Sequence, residues 1–120
     1  MVHVVEHGPN SHRDWLRYLF DVGVARCQPR EVLPDLLPDD APTGQNIVLG
    51  AGKAAAEMAA VANGCLQGRT TGLVVTRYGH GARSPTGEIK VIEAGHPVPD
   101  TQSCEAAEAM LAIAESASAD

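Results

Sequence analysis

"NIVLGAGKAA", residues 46–55, decides the fold. Ile47, Val48 and Leu49 form a short apolar run, Gly50 and Gly52 break it, and Lys53 leads into "KAAAEMAAVANGCLQG" at 53–68. A β-branched run closed by glycine and followed by alanines reads as strand, tight turn and helix, the helix stopping between Asn63 and Gly68. "TTGLVVTRYGHG" at 70–81 adds a second buried strand around Gly72 to Thr76. Residues 47–76 therefore have the length of one βαβ unit, about 30 residues, which predicts a parallel pair with a right-handed crossover.

The same reading extends outward in both directions. Upstream, Ser11 and Asp14 form a Ser-x-x-Asp helix start, and Trp15, Leu16, Leu19, Phe20 and Val24 follow at helical spacing. That helix should end near Cys27, because Pro29 disfavours helical geometry just before it. Pro34 and Pro38 then leave room for a turn or two of helix before the polar loop "PDDAPTGQ". Downstream, "ARSPTGE" is a turn-rich loop, "IKVIEA" a third strand, and "GHPVPD" the lead into a last helix with Ala106, Ala107, Met110, Leu111 and Ala114 on its apolar side. The expected fold is α/β, an open Rossmann-like three-layer arrangement with a small, mostly parallel sheet. Three strands leave an edge in need of a neighbour, and pairing with a second copy is one way to supply it.

Composition narrows the function classes. The 120 residues are enough for one domain, and a net charge of −6 from 15 acidic and 9 basic side chains argues against a nucleic-acid binder. No run approaches the roughly 18 apolar residues of a membrane span. Cys27, Cys65 and Cys104 are widely spaced and odd in number, which predicts reduced thiols and a cytoplasmic setting. His3, His7 and His12 are too loosely spaced for a metal site and read as terminal, solvated residues. The middle of the chain is nevertheless locally basic, with Lys53, Arg69, Arg77, Arg83 and Lys90 opposed by Glu57, Glu88 and Glu93.

Lys53, Arg77 and Arg83, with His80 and His96, fall in three loops that leave the same ends of the strands, where open α/β sheets bind ligands. In "GAGK", Gly50 and Gly52 permit a close backbone approach, and the helix that follows offers amides to an anion. A lysine at a helix start opposes the dipole, so Lys53 either meets an anion or extends into solvent beside an ordinary turn. A Walker loop is excluded, because Ile47 replaces its first glycine and Ala54 its metal-binding hydroxyl. Gly50, Gly52 and Ala55 match a dinucleotide fingerprint, yet the second strand ends in Thr76 and Arg77, without the acid that would read a ribose. In "TRYGHG", Arg77, Tyr78 and His80 form either an oxyanion clamp or a surface turn. In "AGHPVPD", Pro97 and Pro99 stiffen a loop that presents His96, which has no evident relay partner, and Asp100, which is either a site residue or the cap of the last helix.

"NIVLGAGKAAAEMA", "GLVVTRYGHG" and "IEAGHPVPD", in this order and at these separations, resemble the N-terminal domain of the glycerate 2-kinase family. Members of that family are often labelled hydroxypyruvate reductase or MOFRL-family proteins, and "LRYLFDVGVARCQP" fits the same pattern. The resemblance covers about Trp15 to Ala114. It implies ATP-dependent phosphorylation of D-glycerate to 2-phosphoglycerate with a divalent metal such as Mg2+. It makes Lys53 the active-site lysine, with Gly50 and Gly52 shaping its turn and Arg77, His80, His96 and Asp100 lining the site; it assigns no metal ligand to this chain. It also implies that residues 1–120 are the N-terminal part of a longer domain whose partner domain closes the cleft, so the 120 residues alone are expected to be inactive. Two alternatives carry forward: an NAD(P)-dependent hydroxypyruvate reductase, and a non-catalytic phosphate- or anion-binding module.

Overall fold

The computed structural model describes residues 10–118. Helix α1 (His12–Arg26) begins at Ser11, whose side chain accepts a hydrogen bond from the Asp14 amide. A helical turn, α2 (Pro29–Val32), and a 3-10 turn at Pro34–Leu36 follow, as the prolines require. The remaining elements are β1 (Asn46–Ala51), α3 (Ala55–Cys65), β2 (Thr70–Arg77), β3 (Glu88–Ala94) and α4 (Thr101–Ser116).

The three strands form one sheet in the order β1-β2-β3, parallel throughout, with Val48 opposite Gly72 and Val74 opposite Val91. The second strand extends further than the apolar run predicts, because Thr70 and Thr71 pair with Asn46 and Ile47. Leu73 and Val74 are adjacent, so they face opposite sides of the sheet, and both are buried. Each face of β2 is therefore covered. On one, Ala55 and Ala59 of α3 pack against Val74 and Ile89. On the other lies α4, which packs on β2 and β3 and buries Ala106 completely. Ile89 and Val74 are the largest fully buried side chains, and the rest of the core is mostly alanine. Small residues let the helices approach the sheet closely, at the cost of little apolar area buried per residue.

Helix α1 is built differently. Its apolar spacing is present as expected, yet none of its residues is buried; Leu16 and Phe20 are 70% and 69% exposed. The radius of gyration, 17.9 Å, exceeds the roughly 14 Å of a compact chain of this length, consistent with a helix held off the sheet. Cys27, Cys65 and Cys104 are free thiols. No helix among the described residues is long and apolar enough to cross a membrane. His3 and His7 lie outside the described residues, and His12 is exposed at the start of α1.

Candidate functional site

At the carboxyl ends of the strands a cavity of about 180 Å³ is lined by Gly52, Lys53, Val75, Thr76, Arg77, Ala94, Gly95, His96 and Ser103. It draws on the turns after β1 and β3, the end of β2 and the first turn of α4. The turn after β1 is fixed by a hydrogen bond from the Gly52 amide to the Val75 carbonyl oxygen at 3.0 Å, which carries the β1–β2 pairing one residue past the strand. Gly52 has φ +128°, a conformation that a side chain strains. The turn delays the helix: Lys53 precedes the N-cap Ala54, so it lies just before α3 and not within its first turn.

That helix start is open. Ala54 offers no capping side chain, the Ala55 amide bonds to the Gly52 carbonyl, and the Ala56 and Glu57 amides form no hydrogen bond among the described residues. The positive end of the helix dipole favours an anion near this turn, and Lys53 and Arg77, which line the adjoining cavity, add to that field; Ala55 and Ala56 are themselves buried.

The other loops are held by their own contacts. The Tyr78 hydroxyl donates to the Asp100 carboxylate at 2.8 Å, and the Gly79 amide donates to Glu93 at 2.6 Å. The Arg83 amide donates to Glu57 at 2.8 Å, tying the β2–β3 loop to α3. Asp100 is the N-cap of α4 in a complete capping box with Ser103. Its carboxyl is held at about 2, well below the usual range, first by the Tyr78 hydroxyl and then by the Gly95 amide and the Ser103 amide and hydroxyl. The same bond raises Tyr78, helped by desolvation and the negative charges of Asp100 and Glu93. Gly95 is confined by this arrangement, since a Cβ there would lie 2.6 Å from the Val98 carbonyl oxygen and 3.0 Å from the Asp100 carboxyl carbon.

Of the residues singled out from sequence, Lys53, Gly52, Arg77 and His96 share the cavity. Gly50, His80 and Asp100 do not line it. Gly50 instead borders an apolar groove beside β1, where its backbone lies close to Val74. The amide of His80 bonds to the Arg77 carbonyl in the loop turn. Asp100 supports the cavity wall from behind, through Gly95 and Ser103. Thr76 escaped the sequence reading; it is 3% exposed, lines the cavity, and its hydroxyl has no hydrogen-bond partner among the described residues. The signal was a hydroxyl residue closing the run "GLVV" just before the loop.

Residues 15–120 match the family model described as a domain of unknown function, DUF4147. The chain belongs to the DUF4147 family. A putative hydroxypyruvate reductase of Agrobacterium vitis is 43% identical over 106 residues, 88% of this chain and 24% of that protein. A glycerate 2-kinase of Pyrococcus horikoshii is 44% identical over 70 residues, 58% of this chain and 15% of that protein. Among solved structures, the PH0495 protein of Pyrococcus horikoshii superposes with a TM-score of 0.71 at 32% identity, covering 88% of this chain and 26% of that one. The Thermotoga maritima glycerate kinase gives 0.62 at 29% identity, covering 80% and 23%. The DUF4147 chain described here thus spans about a quarter of the length of its first matched relative.

Proposed function

We propose that these residues form the N-terminal part of a glycerate 2-kinase, which transfers the γ-phosphoryl group of ATP to the 2-hydroxyl of D-glycerate and yields 2-phosphoglycerate and ADP. The observation that carries this reading is the convergence of Lys53, Arg77 and His96 on one cavity at the carboxyl edge of a parallel sheet, beside the turn that leads into α3. The names of the kinase relatives support it. Phosphoryl transfer depends on positioning and on stabilising charge spread over oxyanions, and a lysine beside free helix amides supplies both. The Lys53 ammonium neutralises charge on the transferred group or on the glycerate carboxylate, while the α3 amides and Arg77 orient it.

The residues present fit an oxyanion better than a whole nucleotide. A cavity of about 180 Å³ is below the range of about 300–1,000 Å³ typical of drug-sized ligands, so it accommodates glycerate or a phosphoryl group and leaves the nucleoside to residues elsewhere. No group of three or more His, Cys, Asp or Glu side chains that could hold a metal ion lies among the described residues, and no step is assigned to Mg2+. On this reading the 120 residues alone do not turn over. A hydroxypyruvate reductase is the second reading, favoured by the name of the Agrobacterium relative and opposed by Thr76 and Arg77 at the end of β2, where a ribose-binding acid is expected.

The test is glycerate-dependent ADP formation by a full-length protein containing this chain. Lys53→Ala should lower turnover at least about 100-fold while leaving the circular dichroism spectrum unchanged. Absence of ADP formation together with hydroxypyruvate-dependent NAD(P)H oxidation would replace the kinase by the reductase.

A further inference from the structure

Both ends of β2 carry a buried threonine, and the two differ in one respect. The Thr70 hydroxyl accepts a hydrogen bond from the Asn46 side chain at 3.1 Å. The Thr76 hydroxyl, in a residue only 3% exposed, has no partner among the described residues. A buried hydroxyl without a partner destabilises the free fold, and valine would fill the same volume without that penalty. Val74 and Val75 precede it in the same strand, so the position has apolar company on both sides of the sheet. Thr76 also lines the cavity that meets the Gly52–Lys53 turn and the Gly95–His96 loop.

We infer that Thr76 is a ligand-contacting residue, whose hydroxyl donates a hydrogen bond to an oxyanion held between the Lys53 turn and the Gly95–His96 loop. The inference rests on the reading of this cavity as an oxyanion site but not on glycerate being the ligand. Staggered χ1 wells lie about 120° apart, so a single step carries the hydroxyl into the place of its methyl group or its Hβ. The bound anion then supplies the partner that the free fold lacks. Lys53 and Arg77 contribute charge to the site, and Thr76, at the end of β2 in its wall, contributes a neutral donor once its hydroxyl has turned. A neutral donor adds direction to the site without adding charge.

The test compares Thr76→Val and Thr76→Ser with the unmodified protein, each in a full-length protein containing this chain, by thermal melting without ligand and by calorimetric titration with inorganic phosphate, D-glycerate and 2-phosphoglycerate. Thr76→Val should melt at the same temperature or higher and bind phosphate-bearing probes about tenfold more weakly. Thr76→Ser should keep the affinity within about threefold. Equal affinity in Thr76→Val overturns the inference, and so does a lower melting temperature that Thr76→Ser restores, because the hydroxyl then serves the free fold. Phosphate binding that depends on Thr76, with no response to D-glycerate or 2-phosphoglycerate, upholds Thr76 and overturns the glycerate reading. Failure of every probe to bind the unmodified full-length protein overturns both.

Discussion

Two helices start at the same edge of the sheet, a few residues past β1 and β3, and they solve the problem of their free amides in opposite ways. Helix α4 begins at Asp100 in extended backbone, φ −125° and ψ −173°, and its carboxylate takes the Ser103 amide while Ser103 returns a bond to the Asp100 amide. Helix α3 begins at Ala54 with φ −95° and ψ −4°, already helical in backbone and with no side chain to offer. Its amides are left for something other than the chain. A helix that satisfies its own terminus is a strut, and one that leaves it open beside a lysine is, on the proposed reading, the side toward which an anion is drawn. The contrast separates two residues that the sequence places in loops at the same edge of the sheet, Lys53 and Asp100.

The largest expected effect comes from removing the strut. Asp100→Ala takes away the N-cap, the support of Gly95 and the partner of Tyr78 together, and should lower the melting temperature by on the order of 5–10 °C. A loss of binding without a loss of stability in this variant would return Asp100 to the site.

The pH dependence of stability sharpens the same point. Because the folded carboxyl sits at about 2 and the ordinary value is 3.8, the stabilisation by Asp100 is fully present above about pH 4 and is lost as the pH falls toward 2. Melting curves of the unmodified chain should decline through that window, and Asp100→Asn should lack this part of the decline. Identical pH profiles would show that the carboxylate is not held as described.

The smallest effect is predicted at Ala54. Serine is a good N-cap only in extended backbone, so Ala54→Ser in this helical conformation should shift stability by no more than about 0.5 kcal/mol. A gain of the full capping increment, about 1 kcal/mol, would mean that residue type alone and not the Gly52 turn keeps α3 open.

Much of this was legible in the sequence because the signals were local. The strand, the double glycine and the alanine helix of 46–65 each follow from neighbours within a few residues, and so does the cap at Asp100. What was not legible depended on distance. Tyr78 and Asp100 are 22 positions apart, and nothing in either loop announces their bond. The position of Lys53 shifted because the backbone at Gly52 adds residues to the turn before the helix begins. Thr76 was overlooked because threonine is an ordinary strand residue; only the missing partner in three dimensions distinguishes it from Thr70. The apolar stripe of α1 was read correctly as a pattern, but a pattern carries no information on what it packs against, and here it stays exposed.

The most direct measurement follows backbone amide resonances of the 120-residue chain during titration with inorganic phosphate and then 2-phosphoglycerate. Saturable shifts at Ala55, Ala56 and Glu57, with Thr101, Gln102 and Ser103 unmoved, are the predicted result. Shifts at the start of α4 with α3 silent would contradict the assignment of the open helix as the binding surface.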